Sequence, residues 1–151
     1  MKLTFTKRDG KYDELLIRRN NEEAEKVMCP KQGILPHDMI HYAVESVLSH
    51  RGFFSLVRDG QSADFTAMGG DEEEAIERLV ETFQAELWSA CVPTADLLST
   101  YEQACDARGH RITKVRHADI HAIRSRLGEL SERWSALAPN ETMTLTFDPA
   151  E

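Results

Sequence analysis

At the start of the chain Leu3 and Phe5 alternate with Lys2, Thr4 and Thr6, the period of two that a strand with one buried face imposes. Asp9-Gly10 follows as a hairpin turn signal. A second arm over 12–19 sets Leu15 and Ile17 against Glu14, Leu16 and Arg18, and Asn20-Asn21 then offers another turn. Thr142-Met143-Thr144-Leu145-Thr146-Phe147 repeats the alternation near the other end, with Asp148-Pro149 as a stop. A lone hairpin is marginal in water, so the C-terminal strand is expected to join it in an antiparallel sheet of three or more strands.

The chain between these ends has helical spacing. Pro36 suits a first helical position and Asp38 a first turn, after which Ile40, Val44, Val47 and Leu48 recur until Ser49-His50-Arg51-Gly52 breaks the pattern. The stretch from Phe53 to Phe65 reads as a short helical turn and then a loop, with Asp59-Gly60 as a turn. Gly69-Gly70-Asp71 and the acids Glu72-Glu73-Glu74 open a second long helix, carried by Ile76, Leu79, Val80, Phe83 and Leu87 to about Cys91. Pro93 and Thr94 start a third, which Arg108-Gly109 stops. Ile120, Ile123, Leu127, Leu130, Trp134 and Leu137 mark a fourth by an apolar seam stepping three and four positions. The expectation is an α+β fold: a small antiparallel sheet from an N-terminal hairpin and a C-terminal strand, packed against about four helices.

With 151 residues, 41% of them hydrophobic and 29% charged, the chain reads as one domain over 1–151. Its formal charge of −8 argues against nucleic acid or an anionic membrane surface as the main partner. The basic stretch from Arg108 to His117 lacks interleaved aromatics, and reads as a solvated loop face or a contact with an acidic partner; an unknown protein partner is compatible with this reading. Cys29, Cys91 and Cys105 are three in number and widely spaced, which disfavours a disulfide framework or a zinc knuckle. Cys29, before Pro30, is expected in a loop. No secretory h-region or membrane-length apolar run is present, so the expectation is a cytoplasmic protein.

Candidate chemistry concentrates in the histidines. His37 and His41 stand four apart, as do His117 and His121, and such a pair lies one turn apart on one helix face, where it can chelate a divalent metal ion. Projection at about 100° per residue puts His37 and His41 within roughly 40° of the line through Val44 and Leu48, with Glu45 on the same flank, whereas His117 and His121 fall on a wet flank. Two readings follow. In one, His37, Asp38, His41 and Glu45 form a buried polar network in a structural or protein-interaction module. In the other, His37 and His41 bind a divalent metal, with Glu45 or a residue from elsewhere completing the shell, as in a hydrolytic site. Asp38 is expected to satisfy free backbone N–H groups of the first turn.

The run Leu35-Pro36-His37-Asp38-Met39-Ile40-His41-Tyr42-Ala43-Val44-Glu45 resembles a family of small uncharacterised bacterial proteins with an L-P-H-D-x-x-H-x-x-V-E motif. Arg51-Gly52-Phe53-Phe54-Ser55-Leu56-Val57, Arg133-Trp134-Ser135-Ala136-Leu137 and the final strand are similar to segments of the same family. Ser55 and Pro139-Asn140-Glu141 depart from it. The resemblance implies that His37, Asp38, His41 and Glu45 act as a unit, without naming an activity. Gly69-Gly70-Asp71-Glu72-Glu73 is similar to a diguanylate cyclase loop only superficially, since here it opens a helix. No P-loop, dinucleotide fingerprint or Gly-x-Ser-x-Gly is present.

Overall fold

The computed structural model describes residues 1–20, 23–31, 33–48, 52–60, 70–89 and 91–148. The expected features at Asn21, Ser49 to Arg51, 61–65, Gly69 and Pro149 lie outside these residues. Nine elements follow in order: β1 (Lys2–Thr6), β2 (Tyr12–Arg18), β3 (Glu25–Pro30), α1 (His37–Val47), α2 (Phe53–Arg58), α3 (Asp71–Trp88), α4 (Thr94–Ala107), α5 (His117–Ser135) and β4 (Thr142–Thr146). The fold is α+β, with an antiparallel sheet of order β3-β2-β1-β4.

The period of two does the work in the sheet. Leu3 faces Ile17 and Leu145 across the ladders, and Phe5 faces Leu15 and Met143, so the inward residues of three strands form one apolar surface. The intervening Thr4 and Thr144 face outward and join their hydroxyls at 3.2 Å. The expected union of the two ends is therefore present, and the backbones of Met1 and Phe147 extend it, Phe147 N–H donating to Met1 O at 2.9 Å. Lys7, just past β1, donates its Nζ to the carbonyls of Trp134 and Leu137 at 2.7 and 3.1 Å. Those carbonyls lie where α5 runs out, and a cation there meets the negative end of the helix.

Strand β3 was not foreseen, and it corrects the reading of Cys29. The inward face of β3 holds Glu25, Val27 and Cys29, of which only two are apolar, too few to print a clear alternation. Cys29 pairs with Asp13 of β2, is 4% exposed and lies in a strand rather than a loop. Burial, reinforced by the neighbouring Asp38 carboxylate, pushes its thiol far above the ordinary range. Pro30 stands at the last position of this edge strand, where its missing N–H costs no ladder bond in the interior of the sheet.

The helices cover the apolar face of the sheet. Helix α1 is buried at seven consecutive residues, Met39 to Glu45, because α2, α3 and α5 pack around it while Tyr42 reaches β4, its hydroxyl donating to Thr146 O at 3.3 Å. The α5 seam is buried at Ile120, Ile123, Leu127, Leu130 and Trp134 as spaced. Helix α3 ends at Trp88, earlier than the expected Cys91. No helix among the described residues is long and apolar enough to cross a membrane.

Deletion of residues 142–151 tests the closure. It strips β4 and bares the edge of β1 together with the faces of Leu3 and Phe5. The truncated chain is expected to aggregate or to lose its near-ultraviolet circular dichroism. A monomer with the intact protein's melting temperature would show the segment to be dispensable.

Candidate metal centre

Helix α1 opens on the first candidate. Pro36 holds the N-cap position with φ −56° and ψ 141°, so His37 is the first helical residue and His41 stands one turn later on the same file. Their rings lie 4.9 Å apart, centre to centre, at 76°. Helix α3 runs alongside and brings Glu77 and, two turns on, Gln84 to that file.

Four contacts define the cluster. His37 Nε2 lies 3.1 Å from Glu77 Oε1, and His41 Nε2 lies 2.6 Å from Glu77 Oε2. On the outer edges of the rings, His37 Nδ1 meets Gln84 Oε1 at 2.9 Å and His41 Nδ1 meets Glu45 Oε2 at 3.2 Å. One donor atom from each of His37, His41 and Glu77 lies within 4.8 Å of the other two, a group that could hold a metal ion. The cluster is graded in exposure: the side chain of His41 is 4% exposed and Glu45 is sealed, while His37 and Glu77 are about 30% exposed.

Glu45 stands behind the cluster. Its Oε1 accepts Ser55 N–H at 3.1 Å and the Ser55 hydroxyl at 3.3 Å, and its Oε2 accepts Phe54 N–H at 3.1 Å. Phe53 and Phe54 also flank the His41 ring, at 5.5 and 6.4 Å between centres.

These contacts set the protonation of the cluster. Burial works against a charged His41, but its hydrogen bonds to Glu45 and Glu77 and their negative charges outweigh it, and its pKa is pushed up to about 10. Burial likewise opposes ionisation of Glu77, yet hydrogen bonds from both histidines and the charge of His41 hold its carboxyl well below the usual range.

The remaining candidates lie elsewhere. Asp38, expected to serve the first-turn N–H groups, accepts the Cys29 thiol at 3.5 Å. It helps to line a cavity of about 300 Å³ together with Cys29, Pro30, His37, Glu81 and Gln84, so the cavity adjoins the cluster through His37. His117 and His121 are exposed on the first turns of α5, apart from the converging donors. The structure thus gathers His37, His41 and Glu45 as the spacing suggests, and adds Glu77 and Gln84, which sequence reasoning did not single out.

Comparison of the chain with protein-family models, with curated proteins and with solved structures finds no match. The functional reading therefore rests on this geometry.

Substituting His41 by Ala removes a partner from two carboxylates, one of them sealed, and is expected to cost about 1–3 kcal/mol in denaturant unfolding. The pH dependence of the metal-free protein has a definite sign. The folded pKa of His41 lies above its ordinary 6.5, so the stability it contributes is complete below 6.5 and is lost as pH rises through about 10. Glu77 contributes above its ordinary 4.5 and loses that contribution as pH falls further. Melting temperatures across this range should decline on the alkaline side for the wild type and lie flatter for His41→Ala.

Proposed function

We propose that this chain is a divalent-metal-binding protein, with His37 and His41 as ligands through Nε2 and the Glu77 carboxylate as the third. One observation carries the reading. His41 Nδ1 faces Glu45 Oε2, which can only accept, and His37 Nδ1 faces Gln84 Oε1, which accepts as it is oriented here, so the N–H of each neutral imidazole is directed outward. Both Nε2 lone pairs then face a carboxylate. Lone pairs and a carboxylate converging on one point repel unless a proton or a metal ion lies among them, and a divalent ion is the one partner that can serve both Nε2 atoms and the carboxylate at once.

Two imidazoles and one carboxylate form the donor set of catalytic zinc sites and of open iron sites rather than of closed structural ones. Such an ion lowers the pKa of a bound water, so hydrolysis is the chemistry we assign to it. The half-exposed His37 and Glu77, beside the cavity of about 300 Å³, form the side from which a small molecule can approach. Membership of the small bacterial family that the L-P-H-D-x-x-H-x-x-V-E motif resembles is part of the proposal. It is supported by His37, His41 and Glu45 of that motif meeting at one place. A reducing cytoplasm fits three cysteines that are all free.

A second reading has its own support. His41 as an imidazolium donates to both Glu45 and Glu77, and the 2.6 Å contact suits a charge-assisted hydrogen bond. The cluster is then a polar network tying α1 to α2 and α3, in a structural or protein-interaction module.

Metal analysis separates the two. Protein prepared without a polyhistidine tag is expected to take up one equivalent of Zn²⁺ or Co²⁺, and His37→Ala or Glu77→Ala to take up none. Chelator should lower the melting temperature of the wild type and leave His37→Ala unmoved, since only the former has an ion to lose. A wild type that binds no metal and ignores chelator would leave the polar network as the function of the cluster.

A further inference from the structure

The metal reading leaves Glu45 without a ligand's part, yet it is the most sealed charge of the cluster. Its oxygens are occupied: three donors come from the start of α2, and the fourth contact is His41 Nδ1. We infer that Glu45 is the positioning residue of the metal site, which keeps the His41 proton on Nδ1 and so presents Nε2 as a ligand, and that Gly52 is the residue that lets it do so. The metal half of this inference rests on the reading above; the tautomer half stands without it.

The argument for Gly52 is one of contact. Its φ of −140° and ψ of −156° are open to any residue, so backbone conformation does not call for glycine. A Cβ there would stand 2.6 Å from Glu45 Cδ, 2.8 Å from Glu45 Oε1 and 2.8 Å from Ile76 Cγ2. The chain entering α2 passes so close over the Glu45 carboxylate that a methyl group would drive it off, and with it the acceptor for His41 Nδ1. Metal affinity and the seating of α2 on α1 are thereby linked through one carboxylate. Outer carboxylates that orient a ligating histidine commonly change metal affinity by about 10–100-fold when altered.

Glu45→Gln gives the sharpest test, because the amide is nearly isosteric with the carboxylate but donates on one side. With its oxygen on the two Ser55 donors, its NH₂ takes the place of Oε2, gives up the Phe54 N–H and faces His41 Nδ1, which favours the tautomer protonated at Nε2. Two measurements follow: the nitrogen-15 NMR signals of the His41 ring in the metal-free protein above about pH 10, where the imidazolium has given up one proton and a tautomer is defined, and Co²⁺ affinity with the visible spectrum of the bound ion. Nδ1 should carry a proton in the wild type and lose it in Glu45→Gln, with Co²⁺ affinity falling at least about tenfold. Gly52→Ala, which leaves all three ligands in place, should weaken Co²⁺ in the same direction. Gly10→Ala, whose Cβ meets nothing within 4 Å, should not. Should Glu45→Gln fail to fold, Gly52→Ala carries the test alone. An unprotonated Nδ1 in the wild type, or unchanged Co²⁺ affinity in the variants, overturns the inference. A wild type that binds no Co²⁺ overturns the metal reading instead, and the Nδ1 signal then decides the part of Glu45.

Discussion

A carboxylate with no access to solvent must find its compensation inside the protein, and the Glu45 carboxylate is such a group. Left alone it would cost several kcal/mol, enough to consume much of a domain's net stability. The fold meets that demand with two backbone N–H groups and a hydroxyl from the first turn of α2, and with the imidazole of His41. The requirement acts in both directions. It fixes where α2 must begin relative to α1, and it fixes the ring of His41 against rotation. Hence the cluster sits on a rigid inner wall although its outer half is open.

The sheet matters to this arrangement mainly as a floor. Leu3, Phe5, Leu15, Ile17, Met143 and Leu145 offer an apolar surface with no polar demands, on which α1 can lie buried along its length. Helix α1 can then devote one file to polar groups while its other faces supply the packing. The polar file is not free in energy. Pairs of buried ions often contribute less than hydrophobic residues of the same volume would.

How far this was legible in the residues follows from distance along the chain. His37, His41 and Glu45 share one helix, and helical geometry alone puts residues four apart on one face. The same holds for the α5 seam and the alternating termini. Glu77 and Gln84 are separated from His37 by 40 and 47 positions, and on their own helix they are two polar residues among many. A polar file recurring at Glu77, Glu81 and Gln84 was the available signal, yet any solvated helix face gives the same one. Strand β3 escaped because its inward positions hold a charged Glu25 beside Val27 and Cys29, while the ladder to β2 comes from backbone groups that every residue carries. Asp38 was assigned to the helix start by propensity, and a tertiary contact with Cys29 took precedence.

The place of β1 in the sheet bears on the order in which the molecule can assemble. Its partner on one side, β2, follows after a short loop. Its partner on the other, β4, lies about 140 positions away, as the Thr4 to Thr144 contact shows. Closing a loop costs about 0.6 kcal/mol more for each doubling of its length, and nothing returns that cost until the distant strand docks. Local hairpin and helices therefore have the kinetic advantage, while completion of the sheet is the high-contact-order step expected to set the pace. On the ribosome, the inner face of β1 must wait for nearly the whole described chain to emerge before its last neighbour arrives. In that interval, Leu3 and Phe5 at an unpaired edge are the surface a holding chaperone would find.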